Sequence, residues 1–286
     1  MVPDTPDPVD EALHAAPAPP LRSLVGWYSG YRQRGVAHGR HLGLPSPWLT
    51  LILTLDEPLS IAAHPDPRAA GGDYATLLGG LHLAPAHIDV PGRQSGIQVA
   101  LSPLGARLLL GLPAGELAGV DVHADDVLGA EVTAVHERLR TAPDWPSRFG
   151  VVDAWLLHRL ARHADRVALA PEIVRAWRRL LADGGRVRID ALAAEVGWSD
   201  RHLRNRFRQE IGLTPKAAAR VVRFDRARRR IAARPHRPDL AGLAADLGYA
   251  DQSHLDREFT ALASCAPSVW LAREFRNIQA GHLPPG

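Results

Sequence analysis

The sequence predicts an α+β multidomain protein with a β-rich N-terminal domain, a helical connector and an all-α C-terminal domain. Three observations predict this architecture. Short apolar runs separated by Gly- and Pro-containing turns come first, apolar residues then recur at helical spacing, and the last hundred residues contain an internal repeat. The chain has 286 residues, which is enough for more than one hydrophobic core.

Charge is distributed unevenly along the chain. Residues 1–170 hold 13 basic and 18 acidic side chains, whereas residues 171–286 hold 21 basic and 13 acidic ones. The net charge of +3 conceals this division. Codon bias in a GC-rich genome would explain the preference for Arg over Lys, but it would act on both halves. The basic half therefore indicates a polyanionic partner.

The first twenty residues are acidic and rich in proline, unlike a signal peptide with its basic start and apolar middle. We expect residues 1–20 to be a disordered tail. No apolar run reaches the length of a membrane span. Cys265 is the only cysteine, which excludes intrachain disulfides and a zinc-finger ligand set. Together these features predict a cytoplasmic protein with no membrane partner.

Residues 21–126 form the predicted β-rich domain, which would close as a β-sandwich or a small barrel. Its apolar runs, such as those at 48–55, 59–63 and 96–101, are bounded by turn-forming segments. Two packed sheets or a closed barrel would bury such strands.

A helical connector is predicted at residues 127–182, where it could also serve dimerisation. Apolar residues there recur three and four apart, and Pro171 can begin a further helix because the first turn needs no N–H from that position. Gly184 and Gly185 would end that helix.

The internal repeat lies in residues 185–280. The segment LAAEVG at 192–197 returns as LAADLG at 243–248, and an aromatic residue follows each glycine. Each copy continues with Leu and Phe four residues apart and with a proline eight residues beyond the Phe. Six landmarks in register indicate a duplicated unit.

Each copy has the pattern of a helix-turn-helix, one at about 188–214 and the other at about 239–266. Gly197 supplies the left-handed residue that ends the first helix, and Ser199 or Asp200 can cap the second. In the second copy Asp251 is the candidate cap. The Leu and Phe of each second helix face inward, so the polar side chains between them face solvent. Such a helix fits the major groove of duplex DNA.

This region resembles the DNA-binding domain of the AraC/XylS family of bacterial transcription regulators. The resemblance covers about residues 188–275, including IDALAAEVGWSDRHLRNRFRQEIGLTPKAAARVVRFDRARRRI and LAGLAADLGYADQSHLDREFTALASCAPSVWLAREF. It implies two helix-turn-helix subdomains joined by a linker helix, here from Pro215 to about Ala233, with both recognition helices in successive major-groove segments. The second copy departs from the family pattern at SCAPSVW, where a Gly more often stands before the Ser or Thr.

Position by position, the resemblance assigns DNA contacts to the outward residues of both second helices. The candidate residues are Arg201, His202, Arg204, Asn205, Arg208, Gln252, Ser253, His254 and Arg257. Asp256 could accept a hydrogen bond from a cytosine amino group, although a surface ion pair is the favoured interpretation. The basic run Arg226, Arg228, Arg229 and Arg230 on the linker helix could contact phosphates or simply face solvent.

The family resemblance further implies that the β-rich domain is a sensor, which in many relatives is a cupin-like barrel. Five of its histidines do not form the cupin metal pattern, so we expect no metal or other cofactor. We interpret the five as loop or surface residues: His38, His41, His64, His82 and His87. Cys265 is interpreted as a structural residue rather than a redox sensor. DNA-repair methyltransferases with a domain of this kind need more cysteines, and no other catalytic motif is present, so the sequence predicts no enzyme.

The predicted function is sequence-specific binding of double-stranded promoter DNA, controlled by an N-terminal domain that senses a small molecule or mediates dimerisation. RNA polymerase, a small-molecule effector and a second copy of the chain are the further candidate partners. Two alternatives stay open. The protein could be a ligand-independent regulator of the same fold, or a helical adaptor that contacts proteins and not DNA.

Overall fold

The computed structural model describes residues 9–163, 169–233 and 239–274. Ten strands lie in the described part of the N-terminal half: β1 Val9–Ala15, β2 Val25–Arg34, β3 Gly39–Gly43, β4 Leu49–Thr54, β5 Leu59–Ala63, β6 Gly72–Tyr74, β7 Thr76–Gly79, β8 Ala86–Val90, β9 Arg93–Leu101 and β10 Asp121–His123. Eleven α-helices lie within the described ranges, the first of them before β10: α1 Ala106–Leu109, α2 Ala124–Leu128, α3 Ala130–Thr141, α4 Trp145–His163, α5 Pro171–Ala182, α6 Ile189–Glu195, α7 Asp200–Ile211, α8 Pro215–Ala233, α9 Leu240–Leu247, α10 Gln252–Ala263 and α11 Pro267–Glu274.

The strands form two sheets, as expected for a β-rich N-terminal domain. A six-stranded sheet has the order β1-β2-β9-β4-β7-β10, and a four-stranded sheet has the order β3-β8-β5-β6. All pairings are antiparallel among the described strands. A small apolar cluster between the sheets includes Ile52, Ile61 and Ile88. The two-sheet architecture follows because alternating apolar residues give each sheet a face to bury.

The expectation of a disordered tail over residues 1–20 is wrong for residues 9–15. They form β1, which pairs along its whole length with β2, from Val9 opposite Arg34 to Ala15 opposite Tyr28. Leu13 and Ala15 pack against the main core, and this burial stabilises the strand. The proline-rich composition of the first twenty residues had indicated a tail instead. The first eight residues lie outside the described part of the chain.

The large sheet packs on the connector helices. Trp145 and Phe149 of α4 stack near Tyr28 of β2, with ring centroids 6.0 Å apart for Tyr28 and Phe149. The indole of Trp145 lies over Gly30, where an added Cβ would come within 2.5 Å of the ring. Gly30 is thus a position where close approach requires glycine.

The helix α5, which the sequence groups with the connector, packs on the first helix-turn-helix unit. Trp177 is 2% exposed, and its ring centroid lies 6.0 Å from that of Phe207 on α7. One continuous apolar core runs from the large sheet through α4 and α5 into this unit. A separate cluster that includes Leu247, Tyr249 and Leu255 serves the second unit. No helix in the described ranges is both long and apolar enough to span a membrane.

Candidate nucleic-acid interface

The two helix-turn-helix units begin their recognition helices in the same way. Ser199 caps α7 by accepting a hydrogen bond from the His202 N–H at 3.3 Å, and Asp251 caps α10 by accepting from the His254 N–H at 2.7 Å. Each cap satisfies one of the free N–H groups of a helix start. The preceding helices α6 and α9 are followed by Gly197 and Gly248, both with positive φ as the repeat predicts.

The apolar positions of both recognition helices are buried. Leu203, Phe207 and Leu255 are fully buried, and Phe259 is 1% exposed. The ring of Phe259 contacts Phe224 of α8 at a centroid distance of 4.9 Å. The long helix α8, which matches the predicted linker from Pro215 to Ala233, therefore supports both units from behind.

The predicted DNA contacts share one solvent-facing side of each helix. Exposed positions are Arg201, His202, Arg204, Asn205 and Arg208 on α7, and Gln252, Ser253 and Arg257 on α10. His254 is half-buried. The fold thus brings these nine residues into two polar faces, each opposite a buried Leu–Phe pair. Their contacts with DNA stay a prediction.

His202 and His254 also pack on aromatic rings, which the sequence pattern alone does not indicate. The ring of His202 lies edge-on to Trp198 at 4.6 Å, and the ring of His254 lies edge-on to Tyr249 at 5.4 Å. In the second unit Nδ1 of His254 also accepts a hydrogen bond from the Ala250 N–H at 3.2 Å. The aromatic residue after each turn glycine and the histidine that packs on it form a further landmark of the repeat.

Asp256 differs from the favoured interpretation of a surface charge in an ion pair. It is half-buried on α10, and among the described residues its Oδ1 accepts no hydrogen bond and it forms no ion pair. The unpartnered Oδ1 is itself buried, so it does not support a contact with a cytosine amino group.

Each arginine of the basic run on the linker helix binds a partner within the protein. Arg228 and Arg229 both bind the buried Asp225, at 2.7 Å each, and Arg229 also lies 5.3 Å from the ring centroid of Trp27 in β2. Arg226 donates to the Leu181 carbonyl at 2.7 Å, and Arg230 pairs with Asp246 at 2.9 Å. Arg228 and Arg229 thus face the N-terminal domain, whereas Arg226 and Arg230 are exposed to solvent.

The N-terminal domain also contacts the first recognition helix directly. Arg107 of α1 forms two hydrogen bonds with Glu210 of α7, at 2.7 and 2.9 Å, and the Glu210 side chain is 8% exposed. This ion pair raises the pKa of Arg107 above its usual range. Gly115, in the 3-10 turn at 114–117, lies so close to α7 that an added Cβ would be 2.1 Å from the Gln209 carbonyl oxygen.

A cavity of about 110 Å³ opens within the N-terminal domain. Its apolar wall includes Trp27, Leu44, Ile52, Leu59, Ile61, Leu77 and Ile88. Its polar lining includes His41, Thr50, His82, Gln98, Asp121 and, from the linker helix, Arg228. The combination of an apolar wall and a few polar groups is typical of small-molecule sites.

The expectation that all five histidines lie in loops or on the surface is wrong for His41, which lies in β3; His64 lies in the loop after β5 but is buried as well. His41 and His64 are 3% and 7% exposed. Nδ1 of His64 lies 2.9 Å from Asp121, and Nε2 lies 3.1 Å from the Tyr74 hydroxyl, so the imidazole joins β10 to β6. Burial raises the pKa of Tyr74. No cluster of three metal-ligating side chains occurs within the described ranges.

The comparisons with known proteins agree with this geometry. A family model described as a helix-turn-helix domain matches residues 192–273, which contain both recognition helices. Curated proteins give no significant sequence match to the chain.

Among solved structures the fold resembles ToxT from Vibrio cholerae. A 1.65 Å structure of ToxT is 10% identical, has a TM-score of 0.50, and the match covers 86% of this chain and 97% of ToxT. A second ToxT structure, from strain O395, is 12% identical with a TM-score of 0.49 and coverage of 86% and 96%. At this level of identity the likeness concerns the fold, a β-rich N-terminal domain followed by a helical C-terminal domain.

Proposed function

We propose that residues 192–273, which match the helix-turn-helix family model, form a DNA-binding domain of the AraC/XylS type, and that the chain regulates transcription by binding promoter DNA in response to a small molecule. The observation that carries the proposal is the pair of capped recognition helices with exposed polar faces. Both helices pack against the same linker helix, which fixes their positions relative to each other.

We assign base contacts to the polar side chains near the start of each helix. Arg201, Arg204 and Asn205 belong to the first unit, and Gln252, Ser253 and Arg257 belong to the second. Arg prefers guanine edges, and Asn and Gln prefer adenine. Arg208 lies two turns into α7 and is assigned to the DNA backbone. His202 and His254 stand beside these contacts, where their rings brace the turns.

The N-terminal cavity is the proposed effector site. Arg228 extends from the linker helix to the cavity, so a bound molecule would contact both domains. Ligand binding can shift a protein between conformations only if the ligand binds them unequally. A cavity wall shared by two domains meets that condition, because any change in their docking changes the wall.

Selection from a random duplex DNA library tests DNA binding. We expect the full chain to enrich one sequence family, and we expect Arg204→Ala to relax it. Arg140→Ala is the matched control, since Arg140 is an exposed arginine on the connector helix α3. No enriched sequence would contradict the proposal and would favour a protein-interaction adaptor.

Thermal shift with a metabolite library tests the effector site. A ligand that raises the melting temperature of the wild type should raise it less in Thr50→Val, which removes a hydroxyl from the cavity lining. Thr141→Val changes an exposed threonine and serves as the control. Equal shifts in both variants would place the ligand elsewhere, and no ligand at all would favour a ligand-independent regulator.

We further propose that the regulator acts as a homodimer and contacts RNA polymerase. Sedimentation velocity of the full chain with and without operator DNA tests the first claim, and a monomer under both conditions would contradict it. Transcription in vitro with purified RNA polymerase tests the second claim.

A further inference from the structure

A basic cleft separates the two helix-turn-helix units. We call it the interunit cleft and define it by the cations that line it: Arg186, Arg188, Lys216, Arg220 and Arg223. Asp200 at the start of α7 and His254 near the start of α10 also line it, so the cleft opens between the beginnings of the two recognition helices. It has a volume of about 810 Å³ and is open to solvent.

Three of the cations form one stripe along α8. Lys216, Arg220 and Arg223 stand four and then three residues apart, which places them on one side of a helix. This side differs from the one that carries Arg228 and Arg229 to the N-terminal domain. The linker helix therefore has two basic faces, one directed to the N-terminal domain and one to the cleft.

The stripe and its neighbours are held in place by packing. The Arg220 side chain binds Glu258 of α10 at 2.9 Å, and the Arg223 guanidinium lies 5.0 Å from the ring centroid of Tyr249. The stem of Arg186 lies against Gly248, where an added Cβ would be 2.9 Å from Cδ of Arg186. These contacts connect the first unit to the second and keep the cations at the cleft wall.

The cleft is only partly neutralised by carboxylates. Asp190 pairs with Arg188 at 2.6 Å, and Glu258 pairs with Arg220. Within the described ranges Lys216 and Arg223 have no carboxylate partner, and Arg186 approaches Asp183 only to 4.0 Å. Five cations against the three carboxylates Asp190, Asp200 and Glu258 leave the cleft positive.

We propose that the interunit cleft binds the phosphate backbone of the duplex between the two major-groove segments, an inference that rests on the proposed DNA binding. DNA that lies against both recognition helices must cross the opening between their starts, and the strands there present phosphates. Cations at such a place bind every sequence alike and fix the register of the two reading helices. Lys216 and Arg186 are the leading phosphate contacts, and Arg223 supports them.

The salt dependence of binding tests this inference with a matched pair of variants. The cleft variant is Arg186→Gln with Lys216→Gln, and the control is Arg226→Gln with Arg230→Gln, which removes the same charge from an exposed part of α8 outside the cleft lining. The full chain is titrated with the selected operator and with a duplex of unrelated sequence, from 50 to 200 mM salt. Circular dichroism melting checks that both variants fold like the wild type.

The cleft variant should lower the slope of log affinity against log salt by about 2, or roughly 0.9 for each lost phosphate contact, on both duplexes. Its preference for the operator over unrelated DNA should stay unchanged. Equal slopes for the cleft variant and the control would overturn the inference, as would a loss of preference in the cleft variant alone. A wild type that binds no duplex would instead contradict the proposed function itself.

Discussion

Arg204 is the residue for which a base contact is predicted most directly. Its side chain is exposed on α7, one residue beyond the fully buried Leu203, and it has the guanidinium fork that binds guanine in two places. Arg204→Ala should therefore weaken binding at one operator position by about 1–3 kcal/mol. Titrations with a set of single-base operator variants measure this. Uniform weakening across all sequences would contradict a base contact and would indicate a phosphate contact.

His136 gives the N-terminal half a pH dependence of its own. The imidazole is buried, donates from Nε2 to the Thr54 carbonyl, and has a pKa lowered chiefly by burial. Because the folded chain holds this group neutral, the unfolded chain binds its proton first as the pH falls. Stability is therefore full above the ordinary histidine pKa of about 6.5 and declines below it.

Denaturant melts of the wild type and His136→Gln between pH 8 and pH 5 test this expectation. The free energy of unfolding of the wild type should fall through that range, and the fall should be smaller in the variant. An identical pH profile for both proteins would remove His136 as the cause.

At the scale of single elements, α10 depends on its cap. Asp251 accepts the His254 N–H at 2.7 Å and also places a negative charge at the positive end of the helix. Asp251→Ala should lower the free energy of unfolding by about 0.5–2 kcal/mol, whereas Asp251→Asn should lower it less. Chemical denaturation followed by circular dichroism measures both. Equal losses in the two variants would assign the effect to charge and not to the hydrogen bond.

Two glycines give opposite expectations for the same substitution. Gly150 lies inside α4 with open space around its Cβ position, so Gly150→Ala should stabilise the protein by about 0.5–1 kcal/mol. Gly115→Ala would drive a methyl group into the Gln209 carbonyl of α7 and should destabilise it. Thermal unfolding of the two variants measures the contrast. A neutral Gly115→Ala would show that the contact between the N-terminal domain and α7 is loose.

The C-terminal elements were predictable because their determinants are local. Glycine turns, caps and Leu–Phe spacing specify α6, α7, α9 and α10 without reference to the rest of the chain, and α8 keeps its predicted bounds. The strand β1 was missed because its composition resembles a tail, and only pairing with β2 and burial of Leu13 stabilise it. A non-local partner cannot be seen in a local pattern.

The partners of the arginines show the same limit for the candidate site. For the basic run on α8 the sequence left phosphate contacts and a solvated face open, but Asp225, Trp27 and the Leu181 carbonyl bind members of it. The cations that face the cleft, such as Arg186 and Lys216, are separated in sequence and come together only in the fold. The sequence predicted which helix faces are polar. It did not predict which arginines face the N-terminal domain and which face the cleft.

At the scale of the whole molecule, the two domains are joined by specific contacts. Arg107 and Glu210 tie the N-terminal domain to the first recognition helix, and Arg229 on Trp27 ties it to the linker helix. The cavity lies beside the second of these links, since its lining includes both Trp27 and Arg228. An effector in the proposed site would contact Arg228 and could thereby alter how the linker helix is held, which is the two-site arrangement that allosteric coupling needs.

The most direct test of the account is the footprint of the full chain on the DNA that it selects. Hydroxyl-radical cleavage of the bound operator should show two protected segments on one side of the duplex, about 10 base pairs apart. Arg204→Ala should relax base preference in one segment, and Gln252→Ala should relax it in the other. A single protected segment, or two variants that affect the same segment, would contradict DNA binding by two recognition helices.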